Sequence, residues 1–416
     1  MPSDDRAVYE LLCVLLAVLG GGFALAFLVR RLSAARGGLD LCAPLAAGIG
    51  LRLIAIAITA AAGQEVRTTD DPAYFDEAEA ITDTPGEWAD RVWGEAHVAM
   101  FAFLLRTLDG PGDSILRVLQ GLVALAGVAL LAAAVFDVAG RRAALVTAWV
   151  AAIEPSGVLF STELHKEGPL FLAAGLLALG AVRYWNRRDA GGIATMAAGG
   201  LLALTVRQYA GVALLVAGAL VAGHAWWRDL GPGRRPRRAL AAAVLAAVAL
   251  ALVTAPLYLE GELETLQAHQ NTLSPVNNNL ALDPVELTTY GGLLEAIPKR
   301  TVDFLFRPLP WQPENLNQAL GAAGTVLAWL LYAAAIAGLA MGGRPALVRA
   351  VPFLYLTACT IVAYALTTAN AGTGFRHRVH LMFVLAALLG VAAAGPAGEA
   401  VRARLPRWRR IDARAA

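Results

Sequence analysis

Lysine is nearly absent from this chain: Lys166 and Lys299 are the only two. Charge of either sign is sparse, at 16% of residues, where soluble domains carry about 25%. Cysteine is limited to Cys13, Cys42 and Cys359, all within or beside apolar stretches, which excludes a disulfide framework. No HExxH spacing occurs, so the sequence offers no compact metal-ligand motif. The amino-terminal flank Ser3-Asp4-Asp5-Arg6 lacks the positive charge of a cleavable signal peptide. Few lysines beside abundant Ala, Gly and Arg give the composition expected of a GC-rich bacterial genome.

What is present is hydrocarbon. Apolar residues make up 58% of the chain and the mean hydropathy is +0.58. They fall in blocks near the length that crosses about 30 Å of hydrocarbon as a helix. The expected spans are 8–29, 40–62, 114–136, 143–160, 169–185, 191–206, 209–226, 239–257, 319–341, 350–367 and 379–396. The expected fold is therefore an all-α polytopic membrane protein of about eleven transmembrane helices, forming a single domain over 1–416. Interfacial helices are expected in two outer loops, and a basic cytoplasmic tail over 397–416.

Arginine position sets the orientation. Threading the spans alternately puts Arg30, Arg31, Arg36, Arg141, Arg142, Arg183, Arg187 and Arg188 on one side. Arg228, Arg234, Arg235, Arg237, Arg238, Arg344, Arg349 and the tail arginines from Arg402 to Arg414 join them. The only acids beside them are Asp40, Asp137, Asp189, Asp229, Glu399 and Asp412. This arginine side is expected to be cytoplasmic in a cell membrane, with the amino terminus outside and the carboxyl terminus inside.

The opposite face holds the polar segments. The first outer loop, 63–113, contains Asp70, Asp71, Asp76, Glu77 and Glu79 within a few residues, then Trp88, Trp93 and His97. A charge left in hydrocarbon costs about 2.5–3.5 kcal/mol on insertion scales, so this cluster belongs in water or in a polar cavity. Asp76, Glu77 and Glu79 have a plainer reading as loop solvation. The segment 97–105 is too short to span and is expected at the interface. The second outer loop, 258–318, is polar through Asn277-Asn278-Asn279, amphipathic over 293–300, and ends in Pro308-Leu309-Pro310-Trp311.

The main basic residues near the outer ends of spans, on a face that is otherwise acidic, are few. They are Lys166, in Glu163-Leu164-His165-Lys166-Glu167; Arg207, at the turn between the sixth and seventh spans; and Arg376 with Arg378, opening the last span. Such cations suit a lipid phosphate, which Arg binds bidentately. The plainer alternative is snorkelling or local pairing, as of Lys166 with Glu163 or Glu167. Arg52, inside the second span, is a functional candidate by position, or it snorkels inward. His97, His165, His269, His377 and His380 are all expected to face outward. With the carboxylates they suggest a divalent cation as the one cofactor, without any tight ligand spacing behind it.

Several of these stretches resemble the GT-C class of membrane glycosyltransferases, related to protein mannosyltransferases and aminoarabinose transferases. The resemblance lies in Leu51-Arg52-Leu53 leading into Asp70-Asp71-Pro72-Ala73-Tyr74 with Ala78 following. It continues in Gly140-Arg141-Arg142-Ala143-Ala144 through Glu154-Pro155-Ser156 to Lys166-Glu167, in Phe306-Arg307-Pro308-Leu309-Pro310-Trp311, and in Phe375-Arg376-His377-Arg378. It implies transfer of a sugar from a polyprenyl-phosphate donor, with inversion, on the extracytoplasmic face. In that reading Asp71, or alternatively Asp70, is the general base on the acceptor. Lys166, Arg207, Arg376 and Arg378 hold phosphate, with Glu167 beside them, while Tyr74 and Trp311 line the sugar or lipid groove. The chain differs from better-known members in an extra amino-terminal span and in lacking a large carboxyl-terminal soluble domain, which leaves the acceptor open among glycan, lipid and protein. A lipid-linked saccharide transporter or flippase, an oligosaccharide ligase and a non-catalytic cell-envelope assembly partner are the other classes compatible with these residues. Nothing points to nucleic acid.

Overall fold

The computed structural model describes residues 3–62, 70–108, 113–229, 264, 267–268, 271, 281–283, 285–314 and 316–395. Thirteen helices are described: α1 (Ser3–Arg36), α2 (Cys42–Ala62), α3 (Asp70–Ala80), α4 (Pro85–Asp90), α5 (Ala96–Thr107) and α6 (Asp113–Ile153). They continue with α7 (Pro155–Phe160), α8 (Glu167–Arg187), α9 (Ala190–Val206), α10 (Gln208–Asp229), α11 (Tyr290–Phe306), α12 (Leu316–Thr367) and α13 (Ala371–Ala393). Among the described residues there is no strand, only a single bridge between Ala281 and Asn370. Seven of the helices (α1, α2, α6, α8, α10, α12 and α13) are long and apolar enough to cross a membrane; α5 and α9 are shorter apolar helices. The expected span over 239–257, the His269 position and the tail 397–416 lie outside the described residues.

The two longest helices turn back on themselves. Gly140 in α6 (φ 81°) and Gly343 in α12 (φ 60°) leave helical geometry, a left-handed backbone region that glycine occupies without Cβ strain. Neighbours show the reversal. Both Leu125 and Ala152 of α6 meet Gly48 of α2. Likewise, Thr325 and Tyr364, near opposite ends of α12, meet Arg378 and His377 in the first turns of α13, while Gly338 of α12 touches Ala392 at the far end of α13. A break also falls at Arg207, whose extended backbone (φ −155°) separates α9 from α10. Gly200 and Gly211 then meet Leu215 and Leu204 across an antiparallel pair.

Close approach of backbones packs the centre. A Cβ on Gly127 of α6 would lie 2.3 Å from the carbonyl oxygen of Phe171 in α8, and one on Gly175 of α8 would lie 2.5 Å from that of Gly127. Small residues at helix crossings are what association without a hydrophobic drive requires. Helix α13 is the axis of the bundle: nearly every residue from His377 to Ala392 is buried. α1 instead exposes Leu16, Leu19 and Phe23, and α12 exposes Leu330 and Ile336, as lipid-facing surfaces would.

The ends of the bundle differ in chemistry. At one end Arg36 makes a two-point contact to Asp137 at 2.8 and 2.7 Å, Arg188 binds Asp229 at 2.6 Å, and Arg183 binds Asp189 at 2.8 Å. This gathers the arginine-rich turns as the threading expects. The start of α13 lies at the other end.

Two local expectations change. The acidic segment 70–80, expected as part of an outer loop, is helix α3, and 143–160 is interrupted at Glu154. There Pro155 begins α7 and the Glu154 carboxylate caps it, accepting from the Ser156 and Gly157 backbone N–H groups. Proline suits a first helical turn, where its missing N–H costs nothing.

Candidate functional site

At the end away from the paired arginines, three breaks in the helices converge. The turn Ser161–Lys166 joins α7 to α8, Arg207 sits at the α9–α10 break, α13 begins after its Asn370 cap, and α3 and α5 lie against them. Several of the polar side chains here, Lys166, Glu167 and Arg207 among them, stand at helix ends, where regular packing stops. The sequence assigns these residues to an outer surface. The structure buries them instead: Glu163 is 2% exposed, and His165 and Glu167 are 0% exposed.

Glu167 is the centre. Its Oε1 lies 3.1 Å from Arg376 Nε, 3.4 Å from Arg207 Nη2 and 3.8 Å from His380 Nε2. Arg207 Nη1 is 3.5 Å from the His380 ring nitrogen, and its guanidinium lies over the Tyr209 ring. Tyr364, from the returning half of α12, stacks on His380 with centroids 4.8 Å apart and leans on His377. Tyr209 OH meets His377 Nε2 at 3.2 Å. Removing an ion from water costs several kcal/mol even after relaxation, so this grouping persists only because each charge has opposite charge or hydrogen bonds beside it.

Lys166 completes the cluster. It pairs with neither Glu163 nor Glu167: Nζ donates to the Gly94 carbonyl at 3.1 Å and lies 5.5 Å from the centre of the Tyr74 ring. Gly94 is itself fixed to Thr205 beside Arg207. The Tyr74 ring packs edge-on to His97 at 4.7 Å and to His165 at 6.0 Å, and His165 Nε2 is 2.7 Å from Glu163 Oε2. Burial is the main reason the His97 and His165 rings are held neutral, well below the usual histidine range, with Lys166 next for His97 and Arg376 next for His165.

Of the residues singled out in the sequence, the fold thus brings together Tyr74, Lys166, Glu167, Arg207 and Arg376. Asp70 and Asp71 open α3, one helical turn before Tyr74; their side chains lie outside the described residues. Arg378 goes elsewhere: fully buried, it donates to the carbonyl of Phe304 at 2.8 and 3.0 Å, to Thr325 Oγ1 at 2.7 Å and to the carbonyl of Arg307. It ties the end of α11 to α12 and α13. Trp311 is 77% exposed on the loop after α11.

Arg52 does not snorkel. It is 3% exposed and donates to Ser161 Oγ and to the carbonyls of Gly48 and Ala152, locking α2 to the α6–α7 region. His97, His165, His377 and His380, expected to face outward, are all buried. Sequence position places a residue at a helix end but does not say which way the ring turns, and here each turns inward. Among the described residues no group of three potential ligands could hold a metal ion.

Tyr364 escapes a sequence reading altogether, because its helix joins the site only after reversing at Gly343. Histidines three residues apart, His377 and His380 on one face of α13, are the signal that was legible.

Burial, then the positive field of Arg207, lowers the Lys166 ammonium from its usual 10.5 to about 8. Lys166 is charged below that pH and loses its charge above it. Affinity for any anion held by Lys166 should therefore weaken as pH rises above about 8, by up to tenfold per pH unit. Lys166→Arg should remove the step, a result readable from titrations of inorganic phosphate binding across pH 7–9.5.

No protein-family model, curated protein or solved structure matches this chain.

Proposed function

We propose that this chain is an inverting membrane glycosyltransferase that takes a sugar from a polyprenyl-phosphate donor at its extracytoplasmic face. The supporting observation is the pairing of Arg207 and Arg376 on the buried carboxylate of Glu167, with the neighbouring Lys166 held beside them on the Gly94 carbonyl. Three cations gathered at a helix-bundle end suit an anion with more than one charge, and the guanidinium fork suits phosphate oxygens. Clustering charge at one end, with its polar groups at helix breaks, favours surface chemistry over a midplane transport site.

In this reading the full fold crosses the membrane about eleven times: ten crossings come from the described helices, with α6 and α12 counted as two each, and the eleventh from 239–257. The paired-arginine end is cytoplasmic, and the amino terminus is outside. The acceptor oxygen or nitrogen attacks the anomeric carbon as Asp71, or Asp70, removes its proton. The anomeric C–O bond breaks with its electron pair passing to the phosphate oxygen, and Lys166 and Arg376 stabilise the charge that builds there. Tyr74 lies against the ligand, and Glu167 holds the two arginines in place.

Arg376→Ala should weaken binding of undecaprenyl phosphate roughly tenfold or more, as expected for losing a charge-assisted hydrogen bond. Native mass spectrometry of the gently purified protein should also find a polyprenyl-phosphate species, free or bearing a sugar. Unchanged affinity in Arg376→Ala, together with no such lipid, would sink the proposal. An oligosaccharide-bearing diphosphate would redirect it to a ligase or flippase.

A further inference from the structure

Buried polar groups in folded proteins are almost always hydrogen-bonded, and several side chains at this site break that rule among the described residues: His377 through Nδ1, His97 and Glu167. Both ring nitrogens of His97, in a residue 1% exposed, have no hydrogen-bond partner among the described residues. Nor does Oε2 of Glu167, in a residue 0% exposed, although its Oε1 faces both arginines. These atoms belong to one locality: Tyr74 links the His97 ring to Lys166, next in the chain to Glu167.

The chemistry of the missing partner follows from what each atom requires. A carboxylate oxygen accepts only; a neutral imidazole offers one N–H donor and one acceptor. A phosphate oxygen would be repelled by Glu167 Oε2, and a cation would be repelled by Arg207, Arg376 and Lys166. A hydroxyl group meets all three needs, because it donates to Oε2 and both donates to and accepts from an imidazole. A sugar ring carries several such hydroxyls on one rigid frame.

We propose that His97 and Glu167 Oε2 read hydroxyl groups of the sugar carried on the lipid phosphate, with His97 a specificity-determining residue. This rests on the glycosyltransferase reading above, and it separates two tasks. Lys166 and Arg376 recognise the phosphate common to all such carriers, and His97 tells a glycosylated carrier from a bare one.

The test uses the full-length protein in nanodiscs and undecaprenyl phosphate, either bare or carrying a pentosyl or hexosyl group. The readout is the ratio of bare to glycosylated dissociation constants for wild type, His97→Phe and His97→Asn. Wild type should favour at least one glycosylated lipid roughly tenfold, the worth of one well-placed hydrogen bond. His97→Phe, which keeps a ring but no polar atom, should bring that ratio close to one. His97→Asn, which keeps a donor and an acceptor, should restore part of it. Thermal unfolding of each variant checks that the fold survives, with His97→Ala standing in should the Phe variant unfold.

A wild type that binds bare lipid phosphate but prefers no glycosylated form would overturn the inference while leaving the phosphate site intact. So would a full preference in His97→Phe. A wild type that binds none of these lipids would fail the glycosyltransferase reading itself, and the inference with it.

Discussion

Asp71→Asn should lower transfer by roughly 10²–10⁴-fold, the usual contribution of a positioned general base. Asparagine keeps the shape of the side chain and removes only its ability to take a proton, so lipid binding and thermal stability should stay near wild type. The expectation follows from register. Positions 70 and 71 start α3, four and three residues before Tyr74, which places all three on one face of the helix. Tyr74 in turn lies against His97, His165 and Lys166. The measurement is the transfer rate with a synthetic polyprenyl-phosphate sugar, with Asp70→Asn beside it. If both variants keep full rate, the carboxylate-base mechanism is wrong. If only Asp70→Asn loses it, the base is the neighbouring residue and the site stands.

Glu167→Leu should cost about 3–5 kcal/mol of stability, the range measured when one partner of a buried ion pair is removed. The carboxylate is fully enclosed and holds both Arg207 and Arg376, so the variant leaves two guanidinium groups in a low-dielectric interior. Glu77→Leu is the contrast. Its partner Arg91 also reaches Glu95, and all three side chains are about one-third exposed, so its loss should cost no more than about 1 kcal/mol. Thermal or denaturant unfolding in a fixed detergent checks both. Equal effects at the two positions would show that the Glu167 cluster is more hydrated than its burial indicates.

Much of the fold could be read from apolar block length. The expected spans within the described residues fall mostly on helix, because a run of about 20 apolar residues leaves the backbone no other way to satisfy its hydrogen bonds in hydrocarbon. The span 143–160 is broken at Glu154, and seven of the helices are long and apolar enough to cross a membrane. Even the reversals had a sign in the sequence, since Gly140 and Gly343 each stand beside arginines that interrupt the apolar runs. The acidic segment was less legible. Its charges suggested a solvated loop, yet five carboxylates within eleven residues are compatible with a short helix whose Ala78 is buried against the rest.

The site divided along similar lines. Lys166, Glu167, Arg207 and Arg376 were visible as the few charges at the ends of apolar blocks on an otherwise acidic face. Arg378 looked equivalent to Arg376, two residues away. On a helix two residues turn a side chain by about 200°, and this directs Arg378 into the carbonyls of α11 while Arg376 meets Glu167.

By itself, then, the sequence determined the all-helical membrane architecture, the segregation of arginine to one end and the set of charges at the other. Those properties depend on local composition and on the cost of placing charge in hydrocarbon. Only the tertiary structure decided that the second group is buried, that one carboxylate serves two arginines, and that Tyr364 joins from a returning helix. It alone left His97 enclosed without a partner. Such features depend on which faces of distant helices meet, and a one-dimensional pattern of apolar blocks does not encode helix rotation.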